Sequence, residues 1–159
     1  MRQLRGSPME KGKLAGIDFG SVRIGVAISD PDRIIASPYE IYVRKNERLD
    51  GEYFKHLADE ERIVRFVVGL PLHLDGRVSE KAKEAMAFGE WLTELTGKPV
   101  DFMDERFTSV EAGYWLREAK MTLKQRKKRT DKIAAQILLT NYIERGCRGT
   151  EVPESLDDE

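Results

Sequence analysis

The spacing of apolar positions changes along this chain. It is close to alternating at the start and becomes helical further on. Lys13 to Phe19 is a short apolar run, broken by Gly20-Ser21, and Ile24 to Ser29 is a second, with Val26 and Ile28 at strand spacing. Asp30-Pro31-Asp32 marks a turn. Ile34 to Val43 is a third extended stretch, in which Pro38 predicts an edge strand or a bulge. Only a few residues separate the three runs, so antiparallel neighbours in a three-stranded meander are expected. From Asn46 to Glu61 the apolar residues Leu49, Tyr53 (or Phe54) and Leu57 predict a helix. Ile63 to Leu70 is almost wholly apolar, as a buried parallel strand should be. Pro71 to Arg77 reads as a loop. Ala82, Ala85, Met86, Gly89, Leu92 and Leu95 then trace a helix over Ser79 to Thr96, stopped by Gly97. Pro99 to Met103 is another short strand. Ser109 to Lys120 is a helix with Ala112, Trp115, Leu116 and Ala119 on one side. A basic stretch follows and reads as a loop. Thr130 is expected to cap a last helix whose apolar face is Ile133, Ala134, Ile137, Leu138 and Ile143, with Gly146 ending it. The order β-β-β-α-β-α-β-α-α predicts an α/β fold with one mixed sheet flanked by helices.

Composition adds bounds. The 159 residues suit a single domain, and 40% apolar residues support a core despite 35% charged ones. Residues 1–12 and 148–159 read as an N-terminal tail and an acidic disordered tail around a folded domain at 13–147. Cys147 is the one cysteine, which rules out an internal disulfide and a multi-cysteine zinc site. No apolar run approaches the ~20 residues of a membrane span, and Met1 to Gly12 lacks the apolar stretch of a secretory signal. A cytoplasmic address without a membrane partner is expected. The net charge of −1 conceals two opposed segments. Lys120 to Lys132 carries seven bases (Lys120, Lys124, Arg126, Lys127, Lys128, Arg129, Lys132) against Asp131 alone, and Glu151 to Glu159 carries five acids and no base.

Three groups of acids stand at element ends. Asp18 closes the first apolar run, where an ionised carboxylate is costly unless a metal or a base compensates it. The Gly20-Ser21 that follows lets backbone approach a phosphate or an ion. The plainer alternative is a carboxylate capping its own turn. Asp104 and Glu105 end the last short strand, at the carboxyl ends of parallel strands where ligands bind in open α/β sheets. Alternation allows at most one of them to share a face with Asp18, and parity alone leaves both open. Asp131 is expected at the start of the last helix, where the dipole alone would favour an acid. The bases before it point instead to a carboxylate that holds a cation while they hold phosphates. Such hard oxygen ligands suit Mg²⁺ or Mn²⁺ and phosphodiester hydrolysis. The basic stretch predicts nucleic-acid binding that weakens with salt. His73, in the loop after the buried strand, reads as exposed or as a phosphate contact, and Arg23 as a solvated strand residue or a phosphate contact. Thr108 and Ser109 are candidate caps of the third helix, whose N-terminal N–H groups could receive a phosphate. His56, Trp91, Trp115 and Cys147 are read as structural.

Four ordered motifs carry a resemblance. Gly16-Ile17-Asp18-Phe19-Gly20-Ser21 with Arg23-Ile24-Gly25-Val26-Ala27 resembles the opening motif of the YqgF/RuvX family. Val68-Gly69-Leu70-Pro71-Leu72 with Asp75-Gly76 resembles its second. Asp104-Glu105-Arg106-Phe107-Thr108-Ser109 with Val110-Glu111-Ala112 resembles its third, and Asp131 to Ala135 its last. The resemblance implies a ribonuclease H-like fold with a five-stranded mixed sheet, three antiparallel strands and then two parallel ones. It implies a metal-dependent nuclease with the acidic triad Asp18, Glu105 and Asp131. The resemblance, and not spacing, favours Glu105 over Asp104. It further implies Mg²⁺ or Mn²⁺ as cofactor and 5′-end maturation of precursor 16S rRNA. The alternatives are a Holliday junction resolvase acting on branched DNA and a nucleic-acid-binding module without cleavage. Lys124, Arg126, Lys127, Lys128, Arg129, Arg23 and Thr108 are the expected nucleic-acid contacts. A sugar kinase or actin-like ATPase opens similarly but needs two related domains around its nucleotide. The sequence does not fix the oligomeric state.

Overall fold

A computed structural model describes residues 11–72, 75, 77–105 and 123–150, with the side chains of 123–132 outside that description. The described residues contain five strands, β1 (Lys13–Asp18), β2 (Arg23–Ser29), β3 (Ala36–Val43), β4 (Ile63–Leu70) and β5 (Val100–Asp104). They also contain three helices, α1 (Glu47–Glu60), α2 (Glu80–Thr96) and α3 (Leu123–Glu144). The sheet order is β3-β2-β1-β4-β5. β1 pairs antiparallel with β2 and parallel with β4, β2 pairs antiparallel with β3, and β4 runs parallel to β5. This is the mixed sheet that the pattern predicts. Pro38 satisfies both of its expected outcomes. β3 is an edge strand, and its register against β2 shifts between Val26 and Ala27, opposite Glu40 and Pro38.

Alternation along the strands makes two cores. Ala15, Ile17, Val26, Phe66 and Val68 pack under α1 and α2 with Phe54, Leu57, Met86, Phe88 and Leu92. Leu14, Ala27, Val67 and Met103 pack under α3 with Ala135, Leu138, Leu139 and Tyr142. The helix ends follow their capping chemistry. Asn46 accepts from Leu49 N at 2.8 Å to open α1, and Ser79 accepts from Ala82 N at 3.0 Å to open α2. Gly97, at φ 75°, closes α2. On the α1–α2 side, Phe54, Phe88 and Trp91 meet edge-on or tilted, with ring centroids 5.4–6.3 Å apart, so Trp91 is a packing residue as expected.

α3 differs from expectation in two ways. It begins at Leu123, so the basic stretch from Lys124 to Lys132 is helical and not a loop. Thr130 and Asp131 are therefore interior helix positions and not a cap and a first residue. Lys, Arg and Gln all have high helix propensity, and no Gly or Pro interrupts this segment. The buried face is Ala135, Ile137, Leu138, Leu139 and Tyr142, while Ile133, Ala134 and Ile143 are only half-buried. Tyr142 enters the core because its hydroxyl is satisfied there. Arg65 Nη1 donates to it at 3.0 Å, and it donates to Asp101 Oδ2. The helix expected over Ser109 to Lys120 lies outside the described residues. Arg148 to Thr150, expected to begin a disordered tail, are bound: Thr150 N donates to Phe102 O at 2.7 Å, and Asp104 N donates to Thr150 Oγ1 at 3.1 Å.

A second buried network fixes the approach to α1. Asp50 is 3% exposed and accepts from Tyr42 Oη at 2.7 Å, Lys45 N at 2.9 Å and Arg44 Nε at 3.4 Å. Burial pushes its carboxyl up, but these donors outweigh burial and hold it below its ordinary 3.8. Its stabilising effect is therefore present above that ordinary value and lost as pH falls through the lower folded one. Asp50→Ala leaves the three donors without their acceptor and should cost about 3 kcal/mol in urea denaturation at neutral pH. The gap from the parent protein should narrow in acid.

Candidate active site

The strand alternation that divides the core also sorts the acids. Gly16 and Val67 face α3, so Asp18 and Gly69, two residues further along β1 and β4, lie on that same side. Ile17 pairs with Val68, which sets Asp18 beside Gly69 at the carboxyl ends of the two strands. Met103 of β5 also faces α3, and Glu105 follows it by two while Asp104 alternates away. Glu105 N donates to Leu70 O at 3.0 Å, which continues the β4–β5 pairing one step. The Glu105 side chain lies across Gly69, and its carboxyl group shares a hydrogen bond with that of Asp18. Burial first, then the charge and hydrogen bond of Asp18, then the charge of Asp104, raise the Glu105 carboxyl well above the usual carboxylate range. Two adjoining carboxylates oppose each other's ionisation, and a cation between them relieves that repulsion.

Asp131 reaches this end of the molecule through α3. Tyr142 bonds to Arg65, the β4 partner of Leu14. One to two turns earlier, Ala135 and Leu139 lie over Gly16, where a Cβ would sit 2.9 Å from Leu139 Cβ and 3.0 Å from the Ala135 carbonyl oxygen. Moving toward the helix N-terminus thus means moving along β1 from Leu14 to Gly16, in the direction of Asp18. Position 131 is one further turn on, about 5.4 Å, and Asp18 is two strand residues on, about 6.6 Å.

Arg23 is exposed and opens β2, paired with Val43. The turn before it is tight, because a Cβ at Gly20 would collide with the Arg23 carbonyl oxygen. His73, Thr108 and Ser109 lie outside the described residues, as does Trp115. His56 is exposed on α1, 4.0 Å from Glu60. Cys147 is a half-buried thiol. Among the described residues no three His, Cys, Asp or Glu side chains are gathered at metal-binding spacing. The Asp131 side chain is not among those described. Sequence reasoning missed Gly69 and the Tyr142–Asp101–Arg65 brace. A glycine inside an otherwise apolar strand was the available signal for the first.

Comparison with known proteins gives this geometry a family. A model described as RuvX, Holliday junction resolvase, matches residues 12–145. A protein of Rhodopirellula baltica named "Putative pre-16S rRNA nuclease" is 50% identical over 137 residues, covering 86% of this chain and 79% of that one. One of the same name from Koribacter versatilis is 40% identical over 145 residues, covering 91% and 94%. Among solved structures, T. thermophilus RuvC in complex with a Holliday junction substrate superimposes with a TM-score of 0.52 at 16% identity, over 86% of this chain and 97% of that one. That likeness is one of fold, and it agrees with the ribonuclease H-like sheet. With the family model spanning nearly the whole folded region and close relatives over most of its length, this chain belongs to the RuvX family.

Proposed function

We propose that this protein is a divalent-metal-dependent nuclease that acts in the cytoplasm on the 5′ end of precursor 16S rRNA. The observation that carries the reading is the meeting of the Asp18 and Glu105 carboxyl groups at the ends of β1 and β5. This donor set suits a hard cation. It offers only oxygen, and the mutual repulsion of the two acids is relieved by positive charge. Asp18 and Glu105, with Asp131 as a third ligand, would hold Mg²⁺ or Mn²⁺. Once bound, the ion supplies Lewis-acid stabilisation of the charge that develops on the phosphodiester.

The chain's own residues do the remaining work. The basic positions from Lys124 to Arg129 bind backbone phosphates and so hold the strand across the end of the sheet. Arg23, beside the Gly20-Ser21 turn, and Thr108 steady a neighbouring phosphate. Water attacks phosphorus in line as the P–O3′ bond breaks, and the products carry a 3′-hydroxyl and a 5′-phosphate. The RNA substrate is supported by what the relatives are named, and branched DNA by the description of the family model.

The purified protein should cleave precursor 16S RNA with Mn²⁺ and not with EDTA. Cleavage of a four-way DNA junction alone would assign the resolvase activity instead. Binding of either substrate without metal-dependent products would reduce the protein to a binding module. In cells depleted of it, sequencing of rRNA 5′ ends should find extended precursors.

A further inference from the structure

Gly69 stands on β4 directly beneath the Glu105 side chain. A Cβ placed there would fall 2.5 Å from Glu105 Cδ and 2.7 Å from Cγ, and closer still to Oε2. Real Cβ atoms do not tolerate such contacts, so either the backbone or the glutamate must move. The backbone is held from both sides. β4 is paired with β1 through Val68 and with β5 through Gly69 and Leu70. The carboxylate is the end of a flexible side chain, and it is the part that gives way.

We propose that Gly69 is a positioning residue: by having no side chain, it opens the slot through which Glu105 crosses β4 to reach Asp18. This rests on the nuclease reading above and assigns that site a determinant that touches neither cation nor substrate. Without the slot, the Glu105 carboxyl is displaced from Asp18 by the width of a methyl group. A ligand set loses affinity steeply over that distance, because coordination distances tolerate only a few tenths of an ångström. Gly16 has a different task on the same face. There an added Cβ meets the backbone and side chain of α3 and would push the whole helix outward.

The test is a double-mutant cycle read by Mn²⁺ binding in calorimetry, with cleavage and thermal melting measured alongside. Gly69→Ala should weaken Mn²⁺ binding about tenfold and slow cleavage about 10²-fold, with little change in melting temperature. In a Glu105→Ala background the same substitution should leave Mn²⁺ affinity unchanged, because the side chain it displaces is gone. Equal weakening in both backgrounds would show that the alanine acts through the backbone and would overturn the proposal. Failure to fold in both backgrounds would overturn it too. Folding restored by Glu105→Ala would support it. Wild-type Mn²⁺ affinity and rate in Gly69→Ala would also sink it, while leaving the nuclease reading intact if Asp18→Asn still abolishes both. If Asp18→Asn binds Mn²⁺ and cleaves normally, Asp18 is not a ligand and the slot has no target; if the parent protein shows no Mn²⁺-dependent cleavage, the nuclease reading itself fails.

Discussion

Asp18→Asn should abolish metal-dependent cleavage, by about 10³-fold or more, and leave nucleic-acid binding intact. A loss of that size corresponds to roughly 4 kcal/mol of transition-state stabilisation, a reasonable share for a charge-bearing ligand at the reacting phosphate. Asparagine keeps the shape and one acceptor oxygen but removes the charge that a hard cation needs. Folding should persist, since the substitution relieves the crowding of two acids at the strand ends. Binding measured in EDTA should hold or tighten slightly, because one negative charge near the phosphates is gone. A variant that cuts at the parental rate would remove Asp18 from the mechanism.

The second large effect concerns α3. Replacing Lys124, Arg126, Lys127, Lys128 and Arg129 together with glutamine should weaken binding of precursor RNA by about 10²- to 10³-fold near physiological salt. The slope of log affinity against log salt should become shallower by roughly 3 to 4. Glutamine is chosen because its helix propensity matches that of Lys and Arg, so α3 should persist by circular dichroism. Salt titrations by filter binding without divalent metal isolate the electrostatic effect. An unchanged slope would show that phosphates are held elsewhere.

The sheet was legible because burial on one or both faces writes itself directly into alternation or apolar runs. β4 appears at Ile63–Leu70, the bounds that the pattern predicts, and Pro38 lies at the edge and the register shift it signals. α3 departs from expectation because a run of like charge does not by itself make a loop. Charge reports solvation, whereas the conformation follows backbone propensity, and Lys, Arg and Gln favour helix. Its buried face was misplaced because Tyr142 looks amphipathic in sequence. It becomes a core residue only through Asp101 and Arg65, which lie 41 and 77 positions away. The same limit applied at the site. Asp18 could be singled out alone, but spacing left Asp104 and Glu105 open and only the family resemblance favoured Glu105; the physical reason, Met103 facing α3 and setting the parity, lies in the sheet. The slot at Gly69 is a relation among three strands, which no local window contains.

The division of strand residues between two cores has a practical side. Ile17, Phe66 and Val68 look toward α1 and α2, while Asp18 and Glu105 lie on the α3 side, so the sheet separates one packed core from the proposed site. Thermal hardening of this enzyme belongs in that core. Substitutions around Leu57, Met86 and Leu92 are screened from the ligands by a layer of backbone, and their gains should combine with active-site changes almost without interference.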